Sequence, residues 1–251
     1  MKCFILFLLC FATLQVAAFV EIRAQSAPLL VDGDIARLSF SEDEKVGFAF
    51  YTLIGQDPPY ESWVMNAPEY IKMMPDDRIY YMDAERAKLK NGIANFNIRR
   101  DLVRVRILAN LKIRAGEERD GMILDIIIPE FRDEIAFFPF QLGKRWIAVI
   151  PKDMSYTTSY PIAFGDLSML EDEIGLKERG LENVIVEITL LPVNADSKTP
   201  MVLDDKPMWL MMSDIASLYI LDDKNRVPVW GYSAPWYDSS VREQITDLYK
   251  D

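Results

Sequence analysis

The chain has 251 residues, 50% of them hydrophobic and 12% aromatic, enough for a sizeable core and too apolar for a disordered polymer. Its formal net charge of −11 opposes binding to nucleic acid and to anionic lipid. It has no histidine and only two cysteines, Cys3 and Cys10; this excludes Ser-His-Asp and Cys-His nucleophile activation, most zinc sites and a disulfide framework.

The first 26 residues read as a secretory signal. Lys2 gives a minimal basic start, Phe4 to Val20 is almost wholly apolar, and small residues allow cleavage after Ala18 or Ser26. The competing reading is a retained membrane anchor, since the apolar run approaches the length needed to span a bilayer. Both cysteines fall inside this segment, and the chain carries no Asn-x-Ser/Thr acceptor. An exported chain of this kind suits a bacterial periplasm or envelope.

Residues 27–251 are expected to form one α+β domain. Ser41-Glu42-Asp43-Glu44 has the form of a capping box, followed by apolar residues at helical spacing and closed by Gly55. Short helices are predicted over Tyr60–Met65 and Ala67–Met74, and a longer one over Asp83–Phe96 with Asp83 as N-cap. Residues 40–97 are therefore read as a helical segment.

The organising stretch is Asp101–Arg114. Its odd positions from Val103 to Ile113 are apolar, while its even positions carry Arg104, Arg106, Lys112 and Arg114. Side chains alternate between the faces of a strand, so this is a long strand with one buried and one cationic face. After a polar turn the chain returns as Met122–Ile128. Burying the apolar faces together requires paired residue numbers to sum to an odd value, which sets Asp125 opposite Lys112 or Asn110.

Further strands are predicted over Glu134–Phe138, Arg145–Ile150, Glu182–Val193, Pro207–Met212, Ile215–Leu221 and Val227–Gly231. Met154–Phe164 and Asn194–Lys206 read as loops, Asp166–Ile174 as a short helix, and Val241–Tyr249 as a C-terminal helix capped by Asp238. Short turns between successive strands imply an antiparallel, meandering sheet over 101–231, curled or sandwich-like.

No nucleotide-binding glycine motif occurs. Two groups stand out as binding candidates. Arg104 and Arg106 could face an anionic partner, or be paired across strands with Asp125, Glu117, Glu118 or Glu187; the second reading is preferred because such pairs are routine. Trp230, Tyr232, Trp236 and Tyr237 could stack on a sugar or anchor a partner, or plug the junction before the last helix. Asp222-Asp223-Lys224-Asn225-Arg226 lacks the glycine and distal glutamate of a calcium loop and reads as a hairpin turn. Neither a metal nor a cofactor is expected. The functional expectation is an exported, non-enzymatic binding or accessory protein contacting a protein or envelope component. The alternative is a carboxylate-dependent hydrolase acting on envelope glycan, which needs two facing acids and no imidazole.

Overall fold

The computed structural model describes residues 40–116, 121–131, 135–177, 180–222, 224 and 226–237. The expected signal segment, the turn acids Glu117 and Glu118 and the expected C-terminal helix lie outside the described residues. The fold is α+β: helices pack with a large mixed sheet of eight strands.

Four helices come first: α1 (Glu42–Ile54), α2 (Tyr60–Met65), α3 (Pro68–Lys72) and α4 (Pro75–Asn95). The capping box is present as expected. The Ser41 hydroxyl accepts from the Glu44 N–H, and the Glu44 carboxylate accepts from the Ser41 N–H. Asp83 is not an N-cap. It sits inside α4, which starts at Pro75, where fixed φ and a missing donor cost nothing. Its carboxylate pairs instead with Arg86, one turn on. Near its end α4 crosses α1 closely at Gly92, where a Cβ would stand 2.7–2.8 Å from the rings of Phe40 and Phe48.

The sheet is built from β1 (Val103–Ala115), β2 (Met122–Ile127), β3 (Phe138–Leu142), β4 (Arg145–Pro151), β5 (Thr157–Ile162), β6 (Leu181–Leu203), β7 (Lys206–Leu221) and β8 (Pro228–Ser233). Helix α5 (Phe164–Ile174) separates β5 from β6. The expected first hairpin is found in register: Lys112 faces Asp125 and Leu111 faces Ile126. Val103, Ala109 and Leu111 are buried, while Arg104, Arg106, Lys112 and Arg114 are exposed on the other face.

The sheet is not an antiparallel meander. Its order is β3-β4-β7-β6-β1-β2-β5, with β8 also on β7, and β4 runs parallel to β7. The short-turn argument holds only between strands adjacent in sequence. Between β4 and β7 the chain traverses β5, α5 and β6, ample length for a parallel return. Other expectations fail as well. Met154–Phe164 contains β5, and Asn194–Lys206 is mostly strand, because β6 runs unbroken to Leu203. Asp204 and Asp205 then turn the chain at φ 47° and 58°, the geometry of a two-residue hairpin. The predicted strand ending at Phe138 instead begins there, with Pro139 inside β3 at the sheet edge.

β7 is long enough to serve two neighbours. Its first half, from Met208 to Ser213, pairs with β4, and its second half, from Ser217 to Leu221, pairs with β8. Through the second half the sheet reads β8-β7-β6-β1-β2-β5. In a flat sheet its two edges would lie roughly 24 Å apart. Yet the ring of Tyr160 on β5 is 4.9 Å from that of Tyr232 and 5.8 Å from that of Trp230, both on β8. The sheet therefore curls until its edges meet through side chains, without closing in hydrogen bonds. Leu124, Ile126, Val186, Ile188, Leu218 and Ile220 fill the concave side and are fully buried.

Candidate functional site

The expected aromatic cluster divides. Trp230 and Tyr232 face inward beside Ile220 and Leu218 of β7 and meet Tyr160, so they seal the seam between β5 and β8. Burial, with Tyr232 close by, pushes the Tyr160 hydroxyl up to about 12. Trp236 and Tyr237 lie past β8, their rings 6.1 Å apart, and Trp236 is 44% exposed. Tyr160, the partner that makes the seam, carries no sequence signal, because its contacts are all distant in the chain.

The arginines on the cationic face of β1 are paired with carboxylates from both neighbouring strands. Arg106 sits directly across from Glu187 of β6, with Nε 2.9 Å from its carboxylate, and Arg104 Nε lies 3.8 Å from the same group. Glu187 is almost wholly buried beneath them. Arg114 pairs with Asp125 at 2.9 Å, and Asp125 also accepts from Ser159 of β5. Cross-strand pairing thus accounts for Arg104 and Arg106, and neither presents a guanidinium without a carboxylate beside it.

The acids that crowd together in the sequence, which the hydrolase alternative would need, are dispersed. Asp125 is held by Arg114 on the outer face, Glu130 is exposed in a turn, and Asp204 with Asp205 forms the β6–β7 hairpin. Asp133, Glu134 and Asp223 lie outside the described residues. Among the described residues no group of three or more acids, histidines or cysteines is placed to hold a metal. No helix of the described residues is long and apolar enough to cross a membrane.

A different corner carries an arginine of another kind. Arg145 opens β4 directly after the Gly143–Lys144 turn, paired across the hairpin with Leu142. Its Nη1 donates to the Tyr51 hydroxyl of α1, and its guanidinium carbon lies 4.8 Å from the centre of the Trp209 ring on β7. Tyr51 in turn packs edge-on against Trp63 of α2, at 5.5 Å, and against Phe50, also at 5.5 Å. Burial raises the Tyr51 hydroxyl, with the Arg145 charge acting the other way, so the group stays a neutral phenol at physiological pH. Four elements, α1, α2, β4 and β7, converge here: α1 lies against β4, and β4 pairs with β7 so that Trp209 stands opposite Ile147, two residues on from Arg145. The only hint in the sequence is a basic residue at the mouth of an otherwise apolar strand.

On the helical arm, Met65, Ile71, Met74, Ile79 and Tyr80 are exposed. Beside them Tyr70, Pro75, Arg78, Ile79, Met82 and Asp83 line a shallow open groove of about 300 Å³. The Arg78 side chain is engaged, capping the carbonyls of Ile71 and Met73. Comparison with family models, curated proteins and solved structures returns no match to the chain.

Proposed function

We propose that this is an exported, non-enzymatic binding or accessory protein that acts by contact in a bacterial periplasm or envelope. The observation that supports this most is the caged Arg145: a charged donor held on rigid elements between Tyr51 and Trp209, with no acid in ion-pair distance among the described residues. The exposed Trp236 beyond the seam offers a second contact element of the type enriched at binding surfaces. The apolar N-terminal segment, the lack of histidine and the confinement of both cysteines to that segment agree with this reading.

The test is expression of the full chain in a bacterium. The reading expects a mature N-terminus at Phe19 or Ala27 in the periplasmic fraction. It also expects a photocrosslinker at position 236 to capture one discrete partner, and one at the solvent-facing Lys112 to capture none. A chain retained in the cytoplasm with Met1 intact would contradict export. Turnover of an envelope glycan, abolished by one carboxylate substitution, would replace contact with catalysis.

A further inference from the structure

Arg145 is unusual in this molecule. The chain has 39 acidic residues against 28 basic ones, and the β1 arginines Arg104, Arg106 and Arg114 each have a carboxylate within 4 Å. Arg145 is half-buried, and among the described residues no carboxylate lies within ion-pair distance of it. A guanidinium taken out of water costs free energy unless its charge and donors are matched. Tyr51 takes one of the five donors and contributes no charge.

The geometry selects what could complete it. Nη1 is committed to Tyr51, and the Trp209 face fixes the guanidinium in place, which leaves the Nε–Nη2 edge as a pair of parallel donors. The corner is short of acceptors elsewhere too. Trp63, 5% exposed, buries its Nε1 donor with no partner, and its ring lies against Gly143 at the start of the same hairpin turn.

We propose that Arg145 is the anchor for a ligand carboxylate, bound through the Nε–Nη2 edge. This rests on the reading of the protein as a binding protein and names the ligand chemistry. A carboxylate is planar, has two acceptors at the spacing of that edge, and brings a single negative charge to match a single positive one. A phosphate brings a second charge into the field of a chain at −11, and the described residues shown against Arg145 (Tyr51 and Trp209) supply no second cation. The partly exposed Trp209 ring beside the guanidinium favours a carboxylate carried on an apolar or aromatic body, while the Tyr51 and Trp63 rings are buried in the core.

The test uses three small probes on the intact protein: benzoate, its neutral analogue benzamide, and phenyl phosphate. Benzoate should shift the Arg145 Nε–Hε resonance saturably, benzamide should leave it in place, and phenyl phosphate should bind more weakly than benzoate. R145K keeps the charge and loses the fork, and should weaken benzoate by about tenfold, read in both proteins at the indole N–H resonance of Trp209, whose ring the guanidinium covers. The proposal is overturned if benzoate gives no saturable shift up to its solubility limit. It is equally overturned if benzamide matches benzoate, if phenyl phosphate binds more tightly, or if R145K binds benzoate as the wild type does. The wild-type resonance is informative even if R145K unfolds. These outcomes are independent of export and of capture at position 236, so the ligand class can fail while the broader reading stands.

Discussion

β1 pairs with β2 only from Asn110 on, and helix α1 fills the gap between its free first half and the edge strand β3, whereas the gap between β5 and β8 is bridged by three rings. Helix α1 buries Val46 to Tyr51 without a break, and its first turn reaches the strand edges on both sides. The Glu42 carboxylate accepts from the Arg104 N–H of β1 at 2.7 Å, and the Asp43 carboxylate accepts from the Gln141 N–H of β3 at 3.3 Å. One helix thus supplies both apolar packing and acceptors for edge donors a missing strand would have paired. Among the described residues the β5–β8 seam supplies packing alone. Tyr160, Trp230 and Tyr232 cover the opening, and α5 lies against β8 burying Leu170 while Phe164 and Met169 stay exposed. Polar capping makes the first closure the firmer one, and opening should start at the second.

The sharpest way to break this contrast is to remove one ring from each closure. Phe48 is fully buried and meets Phe40, Trp63 and Phe96, so Phe48→Ala should cost about 3–5 kcal/mol in chemical denaturation. Tyr160→Ala should cost less, about 2–3 kcal/mol, because the ring is only part-buried, and should speed amide exchange in β5 more than in β1.

Gly231 tests the outer side of the same seam. A Cβ there would stand 2.2 Å from the Tyr219 ring, so Gly231→Ala should displace that ring and cost about 1 kcal/mol. The smallest effect belongs to Asp43. Burial raises its carboxyl, the Gln141 N–H opposes this, and Glu42 and Glu44 raise it further. A raised acid favours the folded state below the unfolded pKa and loses that contribution as pH climbs through the folded value. Asp43→Asn keeps an acceptor for Gln141 and removes the charge. At pH 7 it should be neutral or stabilising within about 1 kcal/mol, and it should abolish that part of the acid-side gain.

Tyr160 gives the matching alkaline signature. Its hydroxyl is raised to about 12, so the unfolded chain ionises first, and stability falls as pH rises from the ordinary tyrosine value toward 12. Tyr160→Phe retains the ring and should shrink that loss.

The α1 cap, the β1–β2 register and the β7–β8 hairpin were legible because each is written in local spacing: Ser41 with Glu44, alternation from Val103, and a polar turn before Val227. The second half of β6 was not. Asn194 to Met201 is a largely exposed ribbon on which polar residues and Pro200 imitate a loop. β5 was missed for the same reason, since Thr157, Ser159 and Pro161 face solvent at a sheet edge. Parallel pairing of β4 with β7 is a fact about the whole chain path and has no local trace. At the site, pairing of Arg106 with Glu187 was among the weighed options. The Arg145 cage was invisible, because Tyr51 and Trp209 lie 94 and 64 positions away from it along the chain.

The claim beneath this account is that the two edges of an open sheet curl until they touch through rings. A double-mutant cycle between Tyr160 and Tyr232, each changed to Ala, measures that contact directly, since the two side chains meet only if β5 and β8 do. A coupling of about 0.5–1.5 kcal/mol is expected in equilibrium unfolding. Strictly additive effects of the two substitutions would contradict it.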